Sequence, residues 1–336
     1  MQNRPNKDLK MLFISKALDP EYIMPRLQRL PVFRALEKDN LHIKNCRLVR
    51  YKPGRRCLIE YDMEIKESDG VRRLQTLMGK ISAKGREEEH YLLNKQLWNT
   101  CFKKINPCEI AIPEPLGVIT ELQMWMQQKI KGVNATVLLS PGSIGLAERI
   151  GTAIFKLHRL NVGSKRSHTM LDELRILNDR LERVKKMRPE WTNRLNRILQ
   201  ACHKTGATLP SVKFCGIHRD FYADQIIIAG PDIYLLDFDL YCMGDPALDV
   251  GNFLGHLTEQ ALRYFNDPNV LADCEAALEN QYLDHAPDVS PASIQTYKTL
   301  TLARHMYIST QFDDRQAFTA RLLELCEERL HLSAWA

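Results

Sequence analysis

Apolar and acidic side chains alternate along residues 57–66, and this period is typical of a strand with one buried face. The apolar positions are Ile59, Tyr61, Met63 and Ile65, and the acidic positions are Glu60, Asp62 and Glu64. Residues 45–52 and 71–82 also have strand composition, and Pro53-Gly54-Arg55-Arg56 separates the first two segments as a turn. The pattern therefore predicts three successive strands in the first quarter of the chain.

Helical periodicity follows these strands and dominates the remainder of the sequence. Residues 86–98 place Glu89, Leu93 and Leu97 on one face, because residues four apart in a helix lie above one another. The other predicted helices are residues 144–160, 170–186, 191–202, 257–285, 290–311 and 313–332. Residues 1–44 are predicted to be a short helical extension. A strand-rich first part and a helical remainder indicate an α+β protein.

Composition narrows the class of protein. The chain has 336 residues, of which 44% are hydrophobic and 26% charged, as expected for a globular protein of about two domains. No apolar run approaches the ~20 residues that span a bilayer, and the first twenty residues contain no apolar signal segment, so no membrane partner is expected. Nine cysteines scattered singly indicate reduced thiols and a cytoplasmic location.

Three short motifs place carboxylates at defined positions between residues 216 and 249. Asp220 follows Gly216-Ile217-His218-Arg219, Asp237 ends an apolar strand, and Gly244-Asp245-Pro246-Ala247-Leu248-Asp249 comes next. Taken singly, a His-Arg-Asp is common by chance, and an apolar run ending in Asp is more often a strand stopped by a turn. Together the motifs put one carboxylate on a loop and a second at a strand end, which suits phosphoryl transfer.

These motifs resemble those of the aminoglycoside phosphotransferase and choline kinase superfamily, whose members are relatives of the eukaryotic protein kinases. The resemblance runs from about residue 45 to the C-terminus. It implies a two-lobed protein-kinase-like fold, with a nucleotide-binding lobe at residues 45–131 and a larger helical lobe at residues 132–336. The first lobe would hold a five-stranded, mainly antiparallel sheet and one helix. ATP and Mg²⁺ are the implied cofactors.

The resemblance also assigns the residues of the catalytic loop. Asp220 would accept the proton of the attacking hydroxyl, and Asp237 would hold the magnesium that bridges the ATP phosphates. His218 would support the loop. Asp249 would fix the loop through backbone N–H groups, and Asp245 would cap the following turn.

Two positions depart from the family pattern. Arg219 stands where the family has Gly, although protein kinases carry Arg there. Gln225 stands where the family has the Asn that shares the metal. Its extra methylene moves the amide oxygen by about a bond length, whereas Mg²⁺ demands near-ideal octahedral oxygens.

The same resemblance assigns a lysine and a glutamate to the nucleotide. Lys80, at the end of the strand 77–81, would bind the α- and β-phosphates, with Lys84 in the next loop as the competing choice. Glu89 would orient this lysine and Glu88 is the second choice. The run Glu87-Glu88-Glu89 fits an acidic first turn of a helix equally well.

Two further segments belong to the predicted nucleotide site. Backbone N–H groups around Gly54 could contact phosphate, although a plain hairpin turn explains this glycine equally well. Backbone groups of Gln127, Gln128, Lys129 and Ile130, in the linker between the lobes, would recognise adenine. The sequence contains no Gly-x-Gly-x-x-Gly loop. With Gln225, this gives a competing hypothesis, an ATP-binding pseudokinase or regulatory module without turnover.

The acceptor is expected to be a small molecule, because too few residues separate Asp237 from Gly244 to form the segment on which protein kinases bind peptides. Residues 201–336 contain 9 Lys+Arg and 19 Asp+Glu, whereas residues 1–200 contain 38 and 22. If this imbalance reflects a site rather than a solvated surface, the acceptor is an amino sugar, amino alcohol or aminoglycoside, and Asp313 and Asp314 are candidate partners. A neutral sugar is the other option, and no motif of a nucleic-acid-binding module is evident.

Overall fold

The computed structural model of the protein describes residues 13–67, 70–102, 110–160 and 162–332, which form two compact units. The first unit comprises the chain up to Gly132 together with Tyr234–Phe238, and the second comprises Val133–Ile233 and the chain from Asp239 onward. Within the described ranges, no helix has the length and apolar character required to cross a bilayer. The cysteines with described side chains are free thiols.

Strands and three helices make up the first unit. The strands are β1 (Leu41–Lys52), β2 (Arg56–Lys66), β3 (Arg72–Ser82), β4 (Ile110–Ala111), β5 (Pro115–Ile119) and β6 (Met124–Gln128). The helices are α1 (Ile14–Ala17), α2 (Pro20–Leu27) and α3 (Glu87–Leu97). Five of the strands form one antiparallel sheet in the order β1-β2-β3-β6-β5. This is the five-stranded sheet that the sequence predicts.

The alternation in β2 matches its burial, because the side chains of Ile59, Tyr61 and Met63 are fully enclosed in the core of the first unit. Strand β1 begins at Leu41, which pairs with Ile65, four residues before the predicted start. Gly54 has φ 61° in the turn between β1 and β2, a conformation that glycine adopts at little cost.

The N-terminal helices belong to the same core. Helix α2 begins after Asp19, whose side chain accepts a hydrogen bond from the Glu21 N–H at 3.0 Å. Ile23 and Leu27 of this helix are buried against the apolar face of the sheet. Residues 13–44 of the predicted extension are therefore part of the first unit, and residues 1–12 lie outside the described residues.

Helix α3 buries one stripe of side chains. Its buried residues are Glu87, His90, Asn94 and Leu97, whereas Glu88 and Glu89 are exposed. These buried positions follow the i, i+3, i+7, i+10 spacing of a helical stripe. Of the predicted face of Glu89, Leu93 and Leu97, Leu97 is buried and Leu93 is half-buried.

The second unit is mainly helical. Its helices are α4 (Ala135–Leu138), α5 (Ile144–His158), α6 (Met170–Met187), α7 (Thr192–Ala207), α8 (Ala247–Phe265), α9 (Ala272–His285), α10 (Pro291–Ser309) and α11 (Thr319–Arg329). Its strands are β7 (Val133–Asn134), β8 (Ser167–His168), β9 (Cys215–Ile217), β10 (Ile226–Ala229) and β12 (Cys242–Gly244). Strand β11 (Asp232–Leu235) begins in this unit, and its last two residues belong to the first unit. Strand β12 pairs with β9 in antiparallel and with β8 in parallel orientation.

One predicted helix, residues 257–285, is two helices in the structure. Helix α8 starts ten residues earlier, at Ala247, and ends before Asn266, which has the left-handed φ of 56°. Pro268 follows two residues later. A left-handed asparagine and a nearby proline are ordinary helix terminators, so α9 forms separately.

Helices α8 and α10 approach each other closely through two glycines. A Cβ atom on Gly251 would lie 2.5 Å from the carbonyl oxygen of Ile294, and one on Gly255 would lie 2.7 Å from the side chain of Thr301. Any larger residue would push the helices apart. This contact brings the polar residues of α8 next to those of α10.

Candidate active site

The catalytic loop follows β9 and is fixed by a buried carboxylate from the start of α8. Asp249 Oδ2 accepts the His218 N–H at 2.7 Å, and Oδ1 accepts the Arg219 N–H at 2.7 Å. Asp249 has no exposed surface, so these charge-assisted bonds form away from water. They confirm the contacts predicted for Asp249.

Further bonds hold Asp249 and the loop in place. His158 Nε2 lies 3.0 Å from Asp249 Oδ2, and Tyr282 Oη lies 2.9 Å from His158 Nδ1. On the other side of the loop, Asn252 Nδ2 donates to the Phe221 carbonyl at 3.0 Å. The loop is thus bonded through the backbone of three residues, His218, Arg219 and Phe221, on both sides of Asp220, which is itself partly exposed.

The side chains of His218 and Asp245 are surrounded by protein groups. His218 is fully buried, and its ring packs edge-on against Phe221 with centroids 5.4 Å apart. Asp245 Oδ1 accepts the Ala247 N–H at 2.9 Å, as predicted for a cap. Burial raises the pKa of Asp245, while that hydrogen bond acts in the opposite direction.

Gln225 ends a short 3-10 turn beside the loop and is buried. The turn is tied to the start of α4, because Asn134 Nδ2 donates to the Asp224 carbonyl at 3.0 Å and the Thr136 hydroxyl donates to the Asp224 carboxylate. The backbone around Gln225 is therefore well defined.

In the first unit, the structure brings the predicted lysine to the predicted metal ligand. Lys80 Nζ on β3 lies 3.9 Å from Asp237 Oδ1, and Arg56 on β2 lies 3.6 Å from Asp237 Oδ2. The Lys80 ammonium also lies 5.0 Å from the centroid of the buried Trp125 ring. Lys84, the competing lysine, is exposed in the loop after β3.

The α3 glutamates of the same unit differ in their burial. Glu89 and Glu88 are exposed, whereas Glu87 is buried and its Oε2 atom has no hydrogen-bond partner within the part of the chain that is described. Sequence reasoning weighed Glu87 only as part of an acidic first turn. The signal that would have identified it is the stripe it shares with His90 and Leu97.

The predicted adenine segment is partly engaged with its own sheet. The Gln128 N–H donates to the Glu114 carbonyl and the Lys129 N–H to the Thr76 carbonyl, each at 2.9 Å. Gln127 is buried within β6, and Ile130 follows half-buried. Two of the four predicted amides therefore donate to protein carbonyls.

The Asp237 carboxylate suits Mg²⁺ better than it suits an ion whose ligands all come from protein side chains. The described residues contain no group of three or more His, Cys, Asp or Glu side chains that could hold an ion. Mg²⁺ in phosphoryl-transfer sites is held by one or two protein oxygens, and waters and substrate phosphates complete the octahedron. The Asp237 carboxylate, with its side chain 23% exposed, is an oxygen donor of this kind.

Comparisons with known proteins agree with this description. The model of the phosphotransferase enzyme family matches residues 86–288. Among solved structures, a spectinomycin phosphotransferase in complex with ADP and spectinomycin is 11% identical, with a TM-score of 0.61 over 94% of this chain and 98% of that one. A search of curated proteins finds no match.

Two kinases have the same architecture. The choline/ethanolamine kinase family protein of Mesorhizobium loti is 16% identical, with a TM-score of 0.59 over 94% of this chain and 95% of that one. Choline kinase LicA of Streptococcus pneumoniae is 14% identical, with a TM-score of 0.57 over 93% and 99%. Identities this low show a shared fold, which confirms the predicted kinase-like α+β fold. Since the family model covers more than half of its length, the chain belongs to the phosphotransferase enzyme family.

Proposed function

We propose that this protein transfers the γ-phosphoryl group of ATP to a hydroxyl of a small molecule. The observation that carries the proposal is the pairing of Lys80 with Asp237, a cation suited to phosphate and a carboxylate suited to a metal, within the first unit. Bound ATP would supply the phosphoryl group, and its Mg²⁺ would neutralise the charge of the phosphates.

Each unit has its own task in this proposal. In the first unit, Lys80 and Arg56 contact the phosphates and Asp237 binds the metal. The adenine contacts come from Ile130 and from carbonyl groups of residues 127–130, because the Gln128 and Lys129 amides are engaged. Glu89 on α3, with Glu88 as the second choice, orients Lys80.

In the second unit, Asp220 accepts the proton of the attacking hydroxyl. This role needs a fixed carboxylate within hydrogen-bond reach of the acceptor. Asp249 and Asn252 hold this carboxylate in place, because they form hydrogen bonds with the backbone on both sides of Asp220. Gln225 contributes an amide oxygen to the metal.

The direct test is an ADP-release assay with ATP, MgCl₂ and a set of alcohols, sugars and amino alcohols, with product identified by phosphorus NMR. Asp220→Asn is expected to lower turnover by about 100-fold or more, as for a positioned general base. Asp288→Asn, at an exposed turn, is the matched control and is expected to behave as wild type. Full turnover by Asp220→Asn would remove Asp220 from its role.

The competing function, an ATP-binding module without turnover, is separated by Gln225→Asn. If the protein is active, this variant should change turnover by less than about 10-fold, because only one methylene is removed from a buried oxygen donor. Magnesium-independent ATP binding, with no turnover in either protein, would favour the binding module.

A further inference from the structure

Basic side chains collect beside the catalytic loop although residues 201–336 are acidic overall. The ring of His256 on α8 stacks on Tyr222, two residues after Asp220, with centroids 4.5 Å apart and planes 17° apart. Around His256 lie Arg263, Arg304 and Arg315, each of which disfavours its protonation. These four residues are called the basic cluster below. Its three arginines are a third of the nine Lys and Arg residues in this part of the sequence.

Arg304 is bonded to the catalytic loop through one intermediate residue. Its Nη2 atom donates to Asn252 Oδ1 at 2.6 Å, and Asn252 Nδ2 donates to the Phe221 carbonyl at 3.0 Å. The same guanidinium donates from Nη1 to Glu173 Oε2 at 3.0 Å. Arg304 is thus fixed relative to the backbone that carries Asp220, and His256 packs against Tyr222 of the same segment.

Carboxylates do not fully balance this charge. Glu259 is shared, with Arg263 Nε at 3.2 Å and Arg315 Nη1 at 3.9 Å, and Glu173 pairs with both Arg304 and His168. Burial raises the pKa of Glu173, but Arg304, His168 and Arg219 outweigh it and hold that pKa below its usual value. Among the described residues, the ion pairs of these three guanidiniums involve two carboxylates, which leaves one positive charge over.

Two buried polar atoms of this region have no hydrogen-bond partner among the described residues, Arg315 Nε and His305 Nε2. His305 is 2% exposed, and its ring meets His256 edge-on with centroids 4.5 Å apart. Burial and the neighbouring arginines lower the pKa of His305 to about 3, and the pKa of His256 is lowered as well. Both imidazoles are therefore neutral at pH 7, and the local charge comes from the arginines.

The unpartnered Arg315 Nε–H and an uncompensated cation both favour an oxyanion ligand, because a charged acceptor satisfies the donor and the charge together. Asp313 and Asp314, the predicted partners of a cationic acceptor, are exposed, and Asp313 accepts a hydrogen bond from Gln316. Nothing in their surroundings fixes them relative to Asp220.

We propose that the acceptor carries an oxyanion, a carboxylate or a phosphate, close to the hydroxyl that is phosphorylated, and that Arg315 with the rest of the basic cluster binds it. This inference rests on the proposed function and reverses the cationic acceptor that the net charge of residues 201–336 predicts. Arg304 acts as a positioning residue for the loop, whereas Arg315 touches the anion.

Two matched series test the charge of the acceptor. One is glycerol, serinol, glycerate and glycerol 3-phosphate, and the other is glucose, glucosamine, glucuronate and glucose 6-phosphate. Turnover is measured by ADP release, and binding to the Asp220→Asn variant is measured by calorimetry. In at least one series an anionic member should exceed its neutral and cationic counterparts by about 10-fold or more, the size of a charge-assisted contact. The carboxylate and phosphate arms show which oxyanion is preferred.

Arg315→Gln should remove this preference while it leaves the KM for ATP unchanged. Arg321→Gln on α11 is the matched control, because it removes the same charge from a surface residue paired with Glu324 and Glu328. A best ligand that is cationic or neutral, a preference that survives Arg315→Gln, or no binding of any anion would overturn the inference. Asp220-dependent turnover of a cationic acceptor would refute the inference alone, whereas ATP turnover indifferent to Asp220 would refute the proposed function.

Discussion

Two non-glycine residues of this protein adopt left-handed backbone conformations at the places where function is proposed, and they are held in different ways. Arg219, beside Asp220, has φ 71°, and Asp237 has φ 62°. Such conformations cost about 1–2 kcal/mol for L-residues, so each needs support from its surroundings. Arg219 is held by a buried carboxylate, whereas the Asp237 side chain is surrounded by the partly exposed cations Lys80 and Arg56.

This difference matches the two proposed tasks. A general base must keep its position, and the buried bonds of Asp249 are insensitive to salt. A phosphate-binding lysine must exchange partners when the nucleotide arrives. At 3.9 Å from Asp237, with its side chain 16% exposed, Lys80 has a weak pairing that a polyphosphate can replace.

The largest expected effect concerns the buried support of the loop. Asp249→Asn places an amide where two backbone N–H groups need acceptors, so one of them loses its bond in an interior without water. The free energy of unfolding in urea should fall by about 3 kcal/mol, and turnover should fall with it. The exposed Asp288→Asn should stay within about 0.5 kcal/mol of wild type. Equal stability of the two variants would contradict the proposed support.

The next effect concerns the exposed pairing in the first unit. Lys80→Met keeps most of the apolar stem over Trp125 and removes the charge, so kcat/KM for ATP should fall about 10- to 100-fold. Lys84→Met, in the exposed loop after β3, is the matched control and should change this ratio by less than about twofold. A larger loss from Lys84→Met than from Lys80→Met would assign the phosphate contact to Lys84 instead of Lys80.

A smaller effect concerns the pH dependence of the free energy of unfolding. The pKa of His305 is about 3 in the folded protein because of burial and neighbouring arginines, against an ordinary value near 6.5. Between these values the unfolded chain binds the proton and the folded protein does not, so stability is complete above pH 6.5 and declines as pH falls. At pH 5 the expected loss is about 2 kcal/mol from this histidine.

His305→Gln should flatten that decline, measured as urea midpoints at pH 7.5, 6 and 5. A surface histidine provides the contrast, because His42→Gln on the exposed part of β1 should leave the pH dependence as it is. Identical pH profiles for wild type and His305→Gln would show that folding does not lower the pKa of this imidazole.

Sequence reasoning succeeded where a local pattern carries the information. The alternation in β2 identified a strand, because its period depends only on neighbouring residues. The family resemblance, and not a local pattern, assigned Asp249 to the support of the loop, since Asp249 and His218 lie 31 residues apart. Sequence reasoning did not single out Glu87, whose burial on α3 the run of three glutamates does not indicate. The basic cluster could not be predicted from the sequence. Its members come from α8, α10 and the segment after α10, and the close packing of α8 on α10 helps to bring them together.

In the proposed mechanism Asp220 accepts a proton and Asp237 binds magnesium, and each residue can lose its function without the other. Calorimetry of ATP binding with and without Mg²⁺ measures this independence. Asp220→Asn should bind ATP as wild type does and keep the strengthening by Mg²⁺, while its turnover falls about 100-fold or more. Asp237→Asn should lose the strengthening by Mg²⁺. Loss of ATP binding in Asp220→Asn, or an unchanged magnesium effect in Asp237→Asn, would contradict the account.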